Sequence, residues 1–158
     1  MADCKPTLTP FLSRVKLEAQ CSSPPVDATF YHQLVGSLIY LTHTRPDISF
    51  AVGMVSRFMQ EPHELHWKAA KLILHYIQGT HHYGIHYVAG TRLRLVGYTD
   101  SDWAGDLDDR KSTYGYSFHL GSSPICWQSK KQHAIALSST EAEYRGTVNA
   151  ATETIWLQ

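Results

Sequence analysis

The sequence predicts an α+β protein: a small N-terminal helical segment, then a three-stranded antiparallel meander, then one further helix. Three observations carry that expectation. Between residues 27 and 79 apolar side chains recur every three or four positions, the spacing of one helix face. From residue 93 the period shortens to two, as in half-buried strands. After Ser138 the helical period returns.

The totals narrow the class of protein. A chain of 158 residues makes one ordinary domain or two small ones. Hydrophobic residues at 43% and charged residues at 18% describe a globular chain rather than a disordered one. Fourteen basic and 14 acidic residues cancel, so the global basic field of a stand-alone nucleic-acid binder is missing. Cys4, Cys21 and Cys126 are odd in number and scattered, which argues against a disulfide framework and for a reducing compartment. No apolar run approaches the roughly 20 residues of a membrane span, and the N-terminus lacks a signal-peptide core. The expected setting is intracellular, cytoplasmic or nuclear, with no membrane partner.

In chain order, residues 1–25 hold four prolines and no sustained periodicity, and read as extended or weakly ordered. Asp27 is a plausible N-cap for a helix whose stripe is Tyr31, Leu34, Leu38 and Leu41. Thr44-Arg-Pro-Asp47 interrupts it and restarts the chain, since proline in a first turn followed by an acid suits a helix start. Ile48, Val52, Val55 and Phe58 or Met59 then share a face. After Glu61-Pro62, a third helix shows Leu65, Ala69, Leu72 and Tyr76 until Gly79 stops it. Short connections make residues 26–82 a small helical bundle. Strand-like runs follow at 83–88, 93–100, 114–120 and 125–129, with polar turns at 106–112 and at Gly121-Ser-Ser. From Ser138 to Gln158 the helical stripe is Tyr144, Val148, Ala151 and Ile155.

Candidate chemistry gathers at two places. Asp100 and Asp102 end the run 93–100, two positions apart and so on one face. Ser138-Ser-Thr-Glu-Ala-Glu-Tyr144 opens the last helix with Glu141 and Glu143. Carboxylates converging from separate elements are what Mg²⁺ needs, with oxygen ligands at ~2.1 Å. Gly146 and Ala150 lie on the same side as Glu143, so small side chains let that flank approach a sheet, while Glu141 points ~200° away. Each acid also has a bland use. Ser138-x-x-Glu141 and Thr140-x-x-Glu143 both fit a capping box, and Asp102 fits a cap on the turn before Trp103.

The basic residues are as ambiguous. Lys68 and Lys71, with His75, flank the third helix, and Lys130-Lys131 follows the last strand; either set reads as phosphate contacts or as a solvated face. His63 with His66, or His81-His82 with His86, lacks a third metal ligand at standard spacing, so ordinary surface histidines suffice. Trp103 and Trp127 suit base stacking or core packing. Gly-x-Ser-x-Gly, the P-loop and Gly-x-Gly-x-x-Gly do not occur.

TRPDISFAV, HWKAAKLILHYIQGT, GYTDSDWAGDLDDRKSTYGY, PICWQSKKQ and ALSSTEAEYRG resemble the C-terminal part of a copia-type LTR-retrotransposon Pol polyprotein, where reverse transcriptase runs into RNase H. The resemblance extends from Cys4 to Gln158 in the family order. It implies that 26–82 is the helical reverse-transcriptase connection segment and 83–158 a truncated RNase H-like domain. The fold would then be an incomplete RNase H-like fold. The implied parent activity is Mg²⁺-dependent hydrolysis of RNA in RNA–DNA hybrids during reverse transcription, using two Mg²⁺ about 3.5–4 Å apart. Asp100 and Glu143 match the catalytic, metal-ligating acids; Asp102 belongs to the motif without its ligand role being settled by it.

The family pattern is also incomplete. The polymerase's Tyr-x-Asp-Asp is absent, so no DNA synthesis is expected, and the third catalytic aspartate would fall beyond Gln158. The chain alone is therefore expected to hold Mg²⁺ weakly and to lack RNase H activity. Expected partners are an RNA–DNA hybrid, the remaining Pol segments, and a second copy paired through the exposed first strand. The competing expectation is a non-enzymatic relic or a domesticated binding or interaction protein.

Overall fold

This computed structural model describes residues 4–12, 16–20, 22–90 and 92–157; Cys21 and Gln158 lie outside them. The architecture is α+β, and the chain divides into two compact units between Gly84 and Ile85.

The first unit is built on α1 (Ala28–Leu41), α2 (Ser49–Val55) and α3 (Glu64–Gly79), with 3₁₀ turns at Pro46–Ile48 and Ser56–Phe58. Asp27 is the N-cap of α1, its Oδ1 accepting from the backbone N–H groups of Thr29 at 2.7 Å and Phe30 at 3.2 Å. Tyr31, Val35 and Leu38 from α1 meet Ile48, Val52 and Val55, and Ala70 and Ile73 of α3 close the core. The buried Tyr31 hydroxyl donates to the Val55 carbonyl at 2.8 Å, which satisfies the one polar atom that ring carries inward.

The restart motif has a second use. Arg45 is 5% exposed and holds Asp47 with two charge-assisted hydrogen bonds, Nε to Oδ1 at 2.9 Å and Nη2 to Oδ2 at 2.7 Å. Its remaining donors reach the Thr80 carbonyl and hydroxyl at 3.0 and 2.8 Å, and Tyr76 donates to Asp47 at 2.9 Å. Burial pushes the Asp47 carboxyl up, but Arg45 and Tyr76 outweigh it and hold the group below the ordinary carboxylate value.

The described residues of the proline-rich segment form no helix or strand, yet they are tied down. Leu17 is buried, Pro25 bridges His63, and backbone bonds join Val26 to Pro62 and Glu64 to Pro24 at 2.9 Å. His66, expected at the surface, is fully buried and stacks on Phe58 with ring centroids 4.0 Å apart. Its Nδ1 accepts the His63 N–H at 3.0 Å, so Nε2 carries the proton and donates to the Glu18 carbonyl at 2.9 Å. The inward face of α3 is thus rotated from the expected stripe: Ala69 and Tyr76 are buried, but with them go His66, Ala70 and Ile73 rather than Leu72.

The second unit is a sheet of order β1-β2-β3, with β1 (Leu95–Ser101), β2 (Thr113–Leu120) and β3 (Ser123–Lys131) all antiparallel, followed by α4 (Ser139–Leu157). Residues 83–88 are not a strand; the Ser123 hydroxyl and the Tyr87 hydroxyl tie that stretch to β3 through the His86 and Pro124 carbonyls. The two-residue loop between β2 and β3 needs the positive φ of 65° that Gly121 supplies. Gly97 opposes Phe118, and a side chain there would collide with the Phe118 ring, so the missing Cβ makes room for the buried aromatic.

The apolar stripe expected for α4 does not meet the sheet, whereas the small-residue flank at Gly146 and Ala150 does. Tyr144, Val148 and Ile155 are 70%, 48% and 77% exposed, and Ala151 is exposed as well. The face that meets the sheet is Ala142, Gly146 and Ala150. Close approach decides this, because a Cβ on Gly146 would collide with Ser101 Oγ and lie 3.3 Å from Tyr114 Cβ. Apolar periodicity marked large side chains, whereas the gap admits only small ones.

Candidate functional site

The side chains singled out in the sequence sit around the far end of β1 and the start of α4. Ser101 faces α4, since it is the group that Gly146 abuts. Successive residues of a strand point to opposite faces, so Asp100 is turned to the other face with Val96 and Tyr98. The rings of Tyr98 and His119 meet on that other face, 5.6 Å apart. Glu143, on α4, borders the face that Ser101 occupies, one residue from buried Ala142. By the pleat Asp100 starts from the face of β1 turned away from Ser101, and Glu143 stands on the helix that covers the Ser101 face. Both are exposed, and neither carboxylate is hydrogen-bonded or ion-paired among the described residues.

Asp102 and Glu141 are spent on backbone. The Asp102 carboxylate accepts the Thr113 N–H, while its own N–H donates to the Thr113 carbonyl at 3.0 Å. Its other oxygen lies against Gly105, where any side chain would strike it. Asp102 thus closes the β1–β2 connection through Thr113. Glu141 Oε2 accepts from Leu137 N at 2.8 Å while Ser138 Oγ accepts from Glu141 N at 3.1 Å, a capping arrangement. The Leu137 N–H, and then Arg145 at 2.7 Å, hold the Glu141 carboxyl below its ordinary value.

The basic candidates separate in the same way. Lys131 is committed to Asp106 at 2.7 Å and Asp109 at 2.8 Å, with Lys111 also on Asp109 at 3.0 Å. Burial pushes the Asp109 carboxyl up, but these two ammonium groups outweigh it and hold it well below the usual range. Lys68 pairs with Glu64 at 2.9 Å one turn away, and Lys71 lies over the Trp67 ring at 5.2 Å. Lys130 is exposed and, among the described residues, makes no ion pair. It lines a cleft of about 350 Å³ with His133, Arg145 and Asn149. The Arg145 contribution was missed from sequence, although its place four residues after Glu141 was the available signal.

Trp103 is half exposed, its indole N–H donating to the Ala136 carbonyl at 3.1 Å, so it is neither a core residue nor a free stacking platform. The Cys126 thiol is pushed up to about 11, by burial first and by its Glu153 partner at 3.3 Å second, which makes it a poor nucleophile or ligand.

Magnesium, which the resemblance implies, requires several oxygen donors around one point. The described residues do not fit it. Asp102 and Glu141 serve the backbone, and among the described residues no group of three or more His, Cys, Asp or Glu side chains is placed to hold an ion.

Comparison with known proteins then decides the family. The chain is 46% and 48% identical over 157 residues to the retrovirus-related Pol polyproteins from transposons RE2 and RE1 of Arabidopsis thaliana, which covers 99% of the chain. It belongs to the Pol polyproteins of copia-type transposons. The chain spans only 11% of the length of each of those Pol polyproteins. It is also 46% identical over 128 residues to secreted RxLR effector protein 161 of Plasmopara viticola, covering 80% of the chain and 90% of that protein. No family model and no solved structure matches it.

Proposed function

We propose that this Pol chain is a piece of a machine that hydrolyses RNA in RNA–DNA hybrids with Mg²⁺, and that by itself it cuts nothing. What supports the first half is the likeness to Pol polyproteins over nearly the whole chain, with strand, strand, strand, helix in the order an RNase H-like domain begins. What supports the second half is one observation: among the described residues no group of three or more His, Cys, Asp or Glu side chains is placed to hold an ion. Two-metal hydrolysis needs both ions held at once, about 3.5–4 Å apart, by shared carboxylates. Hybrid contacts on this reading fall to Lys130 and the neighbouring Arg145, the cations that border an open cleft. The test is release of labelled RNA from an RNA–DNA hybrid in Mg²⁺ by the full chain. No release above background is expected. Turnover that disappears in Asp100→Asn would overturn the proposal.

A second reading, an interaction protein without catalysis, is favoured by the Plasmopara viticola relative, since the chain spans 90% of that protein and its name is that of an effector. Hybrid binding separates the two. Binding by fluorescence anisotropy, weakened uniformly across sequences by Lys130→Ala, supports the nuclease piece. Indifference to the hybrid supports the interaction protein.

A further inference from the structure

The free edge of β1 carries a pattern that none of the foregoing uses. Backbone bonds from Asp102 N to Thr113 O and from Gly121 N to Arg94 O, both 3.0 Å, fix which residues of β1 bond to β2. In an antiparallel pair these alternate, so Arg94, Val96, Tyr98, Asp100 and Asp102 spend their backbone groups inward. Leu95, Gly97, Thr99 and Ser101 therefore present N–H and C=O groups outward, along the side of β1 where the sheet has no further strand among the described residues. A row of unpaired backbone groups is a template for another strand.

We infer that a second copy of this chain pairs with that edge, antiparallel and with Gly97 on the two-fold axis. The stretch Arg94-Leu-Val-Gly-Tyr-Thr-Asp100 is complementary to its own reverse. In this register Leu95 and Thr99 exchange hydrogen bonds across the seam, as does Gly97 with its own copy. Arg94 then lies opposite the second copy's Asp100, and Val96 opposite its Tyr98, each twice. These are non-hydrogen-bonded pairs, where side chains come closest and opposite charges or an aromatic on a β-branched residue stabilise most. Neither Arg94 nor Asp100 is in an ion pair among the described residues, and Tyr98 is 62% exposed, so the partners are free to engage.

The neighbouring registers are poorer. Centring the axis on Tyr98 would set Arg94 against Asp102, whose carboxylate is already held by the Thr113 N–H. The other face accommodates the same pairing. A cleft of about 410 Å³ beside β1 is walled by Leu95, Gly97 and Thr99 and by the small residues Thr147, Ala151 and Thr154 of α4. The seam is short, so a weak dimer in the micromolar range is expected. This inference does not depend on the nuclease reading, and its test measures mass, not cleavage.

Sedimentation equilibrium on the full chain should show the weight-average mass rising from 17.8 kDa toward twice that value as concentration increases. Thr99→Pro removes one outward N–H without touching the β2 ladder, and should leave the chain folded but monomeric. Asp100→Arg and Arg94→Asp each set like charges opposite each other, and each should weaken association at least tenfold. Mixing those two variants should restore a dimer, because every seam position then meets its opposite charge. A native near-ultraviolet spectrum confirms that each variant is folded. A wild-type chain that stays monomeric through the micromolar range would overturn the proposal, including one that instead captures a downstream Pol segment added in trans. Association that persists in Thr99→Pro, or single variants that fail to pair on mixing, would overturn it as well.

Discussion

In the helical unit Tyr31, Val35, Ile48, Val55 and Ile73 are wholly withdrawn from water, and even the proline-rich strap contributes Leu17. In the sheet unit the buried positions of α4 are Ala142, Gly146 and Ala150, while Tyr144, Ile155 and Trp156 stay at least 70% exposed. One unit packs large apolar side chains around a centre, with the buried polar groups of Arg45, Tyr31 and His66 hydrogen-bonded. The other buries Tyr114 and Phe118 under the small residues of α4 and leaves Tyr144, Ile155 and Trp156 on that helix exposed. A closed core stabilises its own unit; an open one leaves surface for whatever binds it.

That contrast is sharpest where a core atom is removed. Ile73→Ala should lower the stability of the helical unit by about 2–5 kcal/mol, the cost of a cavity in a packed core. Calorimetry should show the loss in one transition and leave the melting of the sheet unit in place. Next comes a pair of changes on α4. Gly146→Val forces bulk into the gap beside Ser101 and Tyr114, and should cost about 1–3 kcal/mol. Ile155→Ser, on the large exposed side chain, should stay within about 0.5 kcal/mol. Equal effects, or the reverse order, would restore the apolar stripe as the buried face.

The smallest expected effect is on pH dependence. Asp47 has a folded pKa below its unfolded value, so its contribution is full above the ordinary carboxylate value of ~3.9 and is lost as pH falls through the lower folded value. Acid should therefore weaken the helical unit over that window. Asp47→Asn should flatten this slope while lowering stability at neutral pH, read from denaturant midpoints against pH.

Much of this was legible in the sequence. The Asp27 cap, the restart at Arg45-Pro46-Asp47, the stop at Gly79 and the Gly121 turn each rest on local chemistry that tertiary packing did not override. Strand order followed from short polar connections. The small-residue flank of α4 at Gly146 and Ala150 was readable, though the large apolar stripe pointed elsewhere. The place of His66 was not legible, because it depends on how closely two elements approach, and periodicity carries no distance. The acids divided along the same line. Capping by Glu141 is a local pattern and was readable. Which strand residue meets the small flank of α4 is a tertiary matter that spacing does not carry, and the structure places Ser101 against Gly146.

The incompleteness of the carboxylate site is tested most directly by titrating the full chain with Mn²⁺ and following amide broadening by NMR. Weak, independent and non-saturating broadening around Asp100 and around Glu143 is the expected result. A single stoichiometric site that broadens both together, and that vanishes in either Asp100→Asn or Glu143→Gln, would contradict it.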